Sequence, residues 1–178
     1  MKDSLWSIDL FRCESISLKS HWVLVIMDQF TRKIIGFSVH KGDVDGIAIC
    51  CMFNKIISGF PLPKYLSSDN DPLFTFHRWQ ANLRILDIEE IKTVPYTPTS
   101  HPFIERVIGT VRRELLDRTL FWTVNDLENK LELFRAYYNE ERSHHGIDGL
   151  SPSQKSGAQS SSVISLENYR WKKHCRGL

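Results

Sequence analysis

Leu5-Trp6-Ser7-Ile8-Asp9-Leu10-Phe11 alternates along its length. Trp6, Ile8 and Leu10 fall on one face of an extended chain, and Leu5, Ser7, Asp9 and Phe11 on the other, which predicts a β-strand. Asp9 is out of place in it, because burying a lone carboxylate is costly unless it is paired or holds a metal. The same reading extends outward. Trp22-Val23-Leu24-Val25-Ile26-Met27 is a second apolar run, and Ile34-Ile35-Gly36-Phe37-Ser38-Val39 a third, after a polar Thr31-Arg32-Lys33 turn. Connections this short favour an antiparallel meander of three strands.

Asp45 to Ile57 then reads as a helix closed by Ser58-Gly59. Lys64 to Ser68 is a short fourth strand running into Asp69-Asn70-Asp71-Pro72. Residues Phe74 to Leu86 read as a helix and Ile88 to Val94 as a fifth strand. A loop with Pro95 and Pro98 leads to a helix predicted from Pro102 to Leu120. Thr123, with Asp126 three residues on, resembles a capping box, and Leu127, Leu131, Phe134 and Tyr138 form the stripe of another long helix. Strands first and then alternating helices and strands predict an α/β domain, a mixed sheet flanked by helices. Residues 1–155 are expected to form this domain, and 156–178 a flexible linker, beginning around Gly157-Ala158-Gln159-Ser160, with a basic tail.

Composition agrees with one well-cored domain: 178 residues, 42% hydrophobic and 25% charged. Four cysteines, Cys13, Cys50, Cys51 and Cys175, show no CxxC spacing. Cys50 and Cys51 lie in an apolar segment and are expected to be buried free thiols in a reduced, cytoplasmic compartment. No apolar run approaches the roughly 18 residues of a membrane span, and polar residues after Met1 argue against a signal peptide. The net charge is only +2. Its distribution is more telling: Arg106, Arg112, Arg113 and Arg118 cluster in one segment, and Arg170, Lys172, Lys173 and Arg176 crowd the end.

Two further acids stand out. Asp69 follows the fourth strand, at the carboxyl edge where α/β sheets place ligand sites. Glu105 lies on the shoulder of the core stripe formed by Ile104, Ile108, Val111 and Leu115, with Gly109 and Arg112 beside it. Each acid alone has an ordinary reading: Asp9 as acceptor for a backbone donor, Asp69 as a turn or helix cap, Glu105 as part of a polar border. Together they suit divalent-metal chemistry. Phosphodiester cleavage needs an activated nucleophile and a stabilised leaving oxygen, and two divalent ions roughly 3.5–4 Å apart supply both. Magnesium prefers hard oxygen ligands, whereas three carboxylates without a metal repel one another.

Thirty-five residues separate Asp69 from Glu105, with Asp9 upstream. This resembles the DD(35)E signature of retroviral integrases and bacterial insertion-sequence transposases. Trp6-Ser7-Ile8-Asp9-Leu10, Asp28-Gln29-Phe30-Thr31-Arg32-Lys33-Ile34-Ile35-Gly36 and Ser68-Asp69-Asn70 are similar to that family's first-acid strand, hairpin and second-acid turn. So are His101-Pro102-Phe103-Ile104-Glu105-Arg106 with Gly109-Thr110 and Arg112-Arg113-Glu114, and, downstream, Tyr138-Asn139, Arg142, His144 and Gly149-Leu150-Ser151-Pro152. The resemblance runs from about residue 3 to residue 155.

It implies a ribonuclease-H-like fold, a five-stranded sheet with three antiparallel and two parallel strands between helices. It also implies DNA strand transfer or phosphodiester cleavage in transposition or integration, with two Mg²⁺ or Mn²⁺ held by Asp9, Asp69 and Glu105. Arg112 matches the basic residue proposed to contact DNA ends, and Arg106, Arg113 and Arg142 are further candidates for DNA binding. DNA and a second copy of the chain are the expected partners, in a bacterial cytoplasm at the nucleoid, with no membrane. Two departures stand out. Asp71 replaces the family's usual glycine and offers a second carboxylate beside Asp69. Neither a helix-turn-helix nor a histidine–cysteine zinc module precedes the first strand, so a core fragment or a separate helix-turn-helix subunit is expected. A catalytically silent DNA-binding or assembly module and a ribonuclease-H-like nuclease are the alternative functions. Asp28 is read as structural, and His144 and His145 as helix-end or DNA-backbone contacts.

Overall fold

The computed structural model describes residues 4–92 and 102–157. The meander forms as expected: β1 (Leu5–Glu14), β2 (Ser20–Asp28) and β3 (Ile34–Lys41) pair antiparallel in order. Helix α1 (Gly46–Ile57) follows, its N-terminus capped by the Asp45 carboxylate, which accepts from the Ile47 and Ala48 N–H groups. The chain then crosses to β4 (Tyr65–Ser68), parallel to β1, and through α2 (His77–Ile85) to β5 (Glu89–Lys92), parallel to β4. The sheet order is β3-β2-β1-β4-β5.

Each face of the sheet is covered by helices. Trp6, Ile8, Leu24, Ile26 and Leu66 pack against Ile49, Phe53 and Ile56 of α1 and Trp79 and Leu83 of α2. On the other face Phe11, Val23, Val25 and Met27 meet α3 (Pro102–Val111) and α4 (Val124–Glu140). The α4 stripe predicted from Leu127, Leu131, Phe134 and Tyr138 is buried throughout, and the Thr123 hydroxyl accepts from the Asp126 N–H at its start. Burial of two faces explains why the strands read as near-continuous apolar runs.

Several boundaries differ from the sequence reading. The helix expected over Phe74–Leu86 is split. Pro72–Thr75 is a 3₁₀ turn capped by Asp71, and Phe76 is extended (φ −59°, ψ 138°) before α2 begins. The helix expected to reach Leu120 is regular only to Val111 and continues as a π-helical segment over Arg112–Leu116. The buried side of α3 is turned toward Val107 and Thr110, with Ile108 only partly buried, so Glu105 is exposed rather than on a half-buried shoulder. Cys51 is exposed and Cys50 half-buried, because the apolar face of α1 falls on Ile49, Met52, Phe53 and Ile56 instead. After α4, a 3₁₀ turn (His145–Ile147) leads to a one-turn helix, α5 (Pro152–Lys155). The strand end at Val94, the prolines 95 and 98, His101, Cys175, the linker from residue 158 and the basic tail lie outside the described residues.

The β2–β3 hairpin shows how the sheet edge is closed. Asp28, buried at 1%, accepts from the Thr31 N–H (2.9 Å) and hydroxyl (2.5 Å), which makes it the structural turn residue expected. The register slips between Ile26 and Met27, the mark of a bulge in β3. There the backbone of Ile34 is completed by a side chain from α4. Its N–H donates to Asn139 Oδ1 and its carbonyl accepts from Asn139 Nδ2, both at 2.9 Å. Gly36 lets α1 approach closely, since a Cβ there would lie 2.7 Å from the Ile56 side chain.

Candidate active site

β1 and β4 run parallel with Leu5, Trp6 and Ser7 opposite Tyr65, Leu66 and Ser67. Asp9 follows that ladder by two residues on β1, on the face covered by α3 and α4, and Asp69 follows it by two residues on the other chain segment, one residue past the end of β4. Asp69 leaves the carboxyl end of β4 with its Oδ1 accepting the Asp71 N–H at 3.0 Å. Asp71 is committed to the local turn, its Oδ1 accepting the Leu73 N–H at 2.8 Å. Glu105 reaches the same region from the first turn of α3.

The electrostatics of Asp9 show that these groups share one neighbourhood. Its pKa is raised to about 7, chiefly by burial and further by the charges of Asp69, Glu105 and Asp71, against the lowering effect of the Leu10 N–H. That N–H donates to Asp9 Oδ1 at 2.7 Å. None of the four acids belongs to an ion pair formed among the described residues. Nor do three acidic, histidine or cysteine side chains among them gather closely enough to form a ready-made metal cage. Hard oxygen donors, unpaired and sensing one another's charge, are a donor set that fits Mg²⁺ or Mn²⁺.

A buried network beneath Asp69 was not anticipated from the sequence. Glu90 on β5 accepts from the Ser68 hydroxyl (2.6 Å), Trp79 Nε1 (3.1 Å) and Gln80 Nε2 (2.5 Å), and pairs with Lys92 at 2.9 Å. Lys92 Nζ also donates to the Ser68 hydroxyl and to the carbonyls of Asp69 (3.3 Å) and Phe74 (3.1 Å). Burial would raise the Glu90 pKa, but the donors from Ser68, Lys92, Gln80 and Trp79 outweigh it and hold it below the ordinary glutamate value. The network thereby ties the Asp69 turn to both neighbouring elements. The available signal was Glu90 and Lys92 at strand spacing two, which puts opposite charges on one face.

The candidate DNA contacts divide into two groups. Arg106, Arg112 and Arg113 are exposed on α3 and its π-helical extension. Arg112 lies against the Phe11 ring and 3.5 Å from the Arg12 carbonyl. Arg113 folds back over Gly109, where a Cβ would lie 3.1 Å from its Nη1. The space left by that glycine is therefore occupied by an arginine rather than left open. Arg142 is half-buried and held by Glu114 through contacts of 2.8 and 3.1 Å, which raises its pKa. His144 sits at the end of α4, its Nε2 3.4 Å from the Tyr138 carbonyl and its Nδ1 3.2 Å from Arg142. Burial holds it below its ordinary pKa, while His145 is exposed.

A mixed five-stranded sheet in this order, flanked by helices, is the ribonuclease-H-like fold seen in integrase cores. Residues 86–152 match the family described as "Integrase core domain", and the chain is a distant homologue of insertion-sequence transposases and retroviral integrases. It is 25% identical over 154 residues to an insertion element IS476 protein of Xanthomonas euvesicatoria, covering 86% of this chain and 44% of that one. It is 26% identical over 133 residues to the transposase for insertion sequence element IS904 of Lactococcus lactis, covering 74% and 53%. The chain thus spans about half the length of the curated relatives it matches. Its fold is similar to the HTLV-2 integrase catalytic core domain solved in complex with magnesium in a dimeric form. The TM-score is 0.65 at 17% identity, over 88% of this chain and 98% of that one. No helix among the described residues is long and apolar enough to cross a membrane.

Proposed function

We propose that this chain carries out metal-dependent phosphodiester cleavage and DNA strand transfer, with Asp9, Asp69 and Glu105 as its catalytic, metal-holding carboxylates. The observation that carries the reading is the burdened state of Asp9: a half-buried strand carboxylate that feels the charges of Asp69 and Glu105 and has no basic side chain paired to it among the described residues. One or two divalent ions bound there would relieve that repulsion, activate a water or 3′-hydroxyl and neutralise the leaving oxygen. Asp9 is fixed by its strand and by the Leu10 N–H, so its approach needs little reorganisation. Asp69 is oriented by its turn and, through its carbonyl, by Lys92. Asp71 shares the neighbourhood but is occupied as a cap, which favours Asp69 as the ligand.

Exposed Arg106, Arg112 and Arg113 would position DNA phosphates beside these acids. Arg142 serves that surface indirectly, by holding Glu114 and the end of α4 in place. DNA is the proposed substrate and a second copy of the chain the proposed partner, and sequence recognition is assigned to a separate or attached helix-turn-helix element. The test is incubation with labelled linear DNA bearing candidate ends, with and without Mg²⁺ or Mn²⁺, beside Asp69→Asn. Metal-dependent nicking or joining that disappears in the folded variant supports the reading, and equal products from the variant would sink it. Binding without any product, once a helix-turn-helix partner has been supplied, would identify a silent assembly module, and preferential cleavage of RNA–DNA hybrids a ribonuclease-H-like nuclease.

A further inference from the structure

A second feature lies around the start of α3 from the acids. A cavity of about 330 Å³ opens between the β2–β3 hairpin, the first turn of α3 and the end of α4, lined among others by Arg32, Phe103, Arg106, Tyr138, Arg142 and His144. Three of these carry guanidinium groups. Arg142 has its counter-charge in Glu114, and Asp28, the acid whose charge reaches Arg32, is engaged by Thr31. Neither Arg32 nor Arg106 pairs with a carboxylate among the described residues. Arg32 stacks on the Phe103 ring, and its Nη1 is buried with no hydrogen-bond partner among the described residues. Such an orphaned charged donor is costly unless a ligand completes it.

Burial and the neighbouring Arg106 both act against the charge of Arg32, partly offset by Tyr138 and Asp28. Three guanidinium groups line one cavity, and only that of Arg142 is paired with a carboxylate among the described residues. Guanidinium forks match phosphate oxygens in geometry and charge. We propose that this cavity binds a phosphate group, with Arg32 and Arg106 as its two cations and Tyr138, Phe103 and His144 as its walls. The phosphate would belong to the backbone of DNA engaged at the acids. Glu105 and Arg106 are adjacent on α3 and about 100° apart around it, so one helical turn would face both the reacting strand and this anchor. The assignment of the phosphate to DNA rests on the function proposed above, whereas the anion site itself does not.

The test uses the full chain and a short duplex, with affinity read by fluorescence anisotropy across a salt series in EDTA, so that metal chemistry plays no part. Arg32→Gln and Arg106→Gln should each weaken binding several-fold and flatten the dependence of log affinity on log salt by about one unit. Inorganic phosphate is titrated in parallel against thermal unfolding. Unchanged DNA slopes, with phosphate stabilising the wild type but not the variants, would assign the site to free phosphate instead. Unchanged slopes and no phosphate effect in folded variants would overturn the proposal. Should Arg32→Gln fail to fold, Arg106→Gln provides the same reading, and Arg32→Lys, which keeps the charge but loses the fork, should weaken binding while leaving the salt slope in place. Asp69→Asn run alongside separates the two hypotheses: flattened slopes in the arginine variants together with cleavage surviving in Asp69→Asn would leave the anion site standing and remove the acidic triad.

Discussion

Replacing Glu90 with glutamine tests whether the ground beneath Asp69 is as interdependent as its hydrogen bonds indicate. The glutamate side chain is 8% exposed and Lys92 is 31% exposed. Breaking a buried ion pair from one side typically costs about 3–5 kcal/mol, because the remaining charge is stranded. Lys92 can recover part of that loss from water, and a glutamine oxygen can still accept from one or two of the former donors, so a loss of about 2–3 kcal/mol is expected. For a chain of this size that corresponds to a fall in melting temperature of roughly 5–10 °C. The assay is thermal unfolding of wild type and Glu90→Gln across pH. The folded-state pKa of Glu90 lies below its ordinary value. Its contribution is therefore complete above the ordinary carboxylate range and disappears as pH falls through the folded value. The difference between the two proteins should be widest near neutrality and close on acidification. An unchanged melting temperature at pH 7, or a gap that grows in acid, would refute the reasoning.

Asp9→Asn should abolish activity yet raise the melting temperature in EDTA, corresponding to about 1 kcal/mol or more, because it removes an opposed, half-buried charge while keeping an acceptor for Leu10. Asn139→Ala should cost about 2–4 kcal/mol in urea unfolding, since both the N–H and the carbonyl of Ile34 lose their partner at a buried bulge. Gly109→Ala should stabilise α3 by about 0.5–1 kcal/mol, provided the flexible end of Arg113 moves aside, and thermal unfolding will show it.

The sheet was legible because its strands are long, apolar and separated by polar turns, and α4 because Thr123 and a four-residue stripe announce it. Phe74–Leu86 reads as one helix because Trp79 and Leu83 are core residues at helical spacing, while nothing local reveals that Phe76 is extended. The stop at Val111 was equally silent, since a π-helical segment keeps the same residue types as the α-helix it interrupts. Of the candidate site, the acids can be nominated from the sequence because their interval and their places relative to the strands are written along the chain. Lys92, Arg32 and the role of Asn139 could not, as each matters only through partners distant in sequence: Asp69, Phe103 and Ile34 respectively.

The parallel ladder between β1 and β4 has a consequence for how this protein can vary. The backbone ladder that sets Ser7 opposite Ser67 acts as a vernier: it fixes where the chain leaves each strand toward its aspartate, whatever length of chain lies between them. A slip of one residue would turn the second aspartate to the opposite face, where Ser68 meets Glu90, and no smaller error is available. The span from Gly42 to Pro63 is therefore free to lengthen or shorten in its loops without detuning the pair. Evolution can edit the distance between the first two acids along the chain while their alignment in space stays locked.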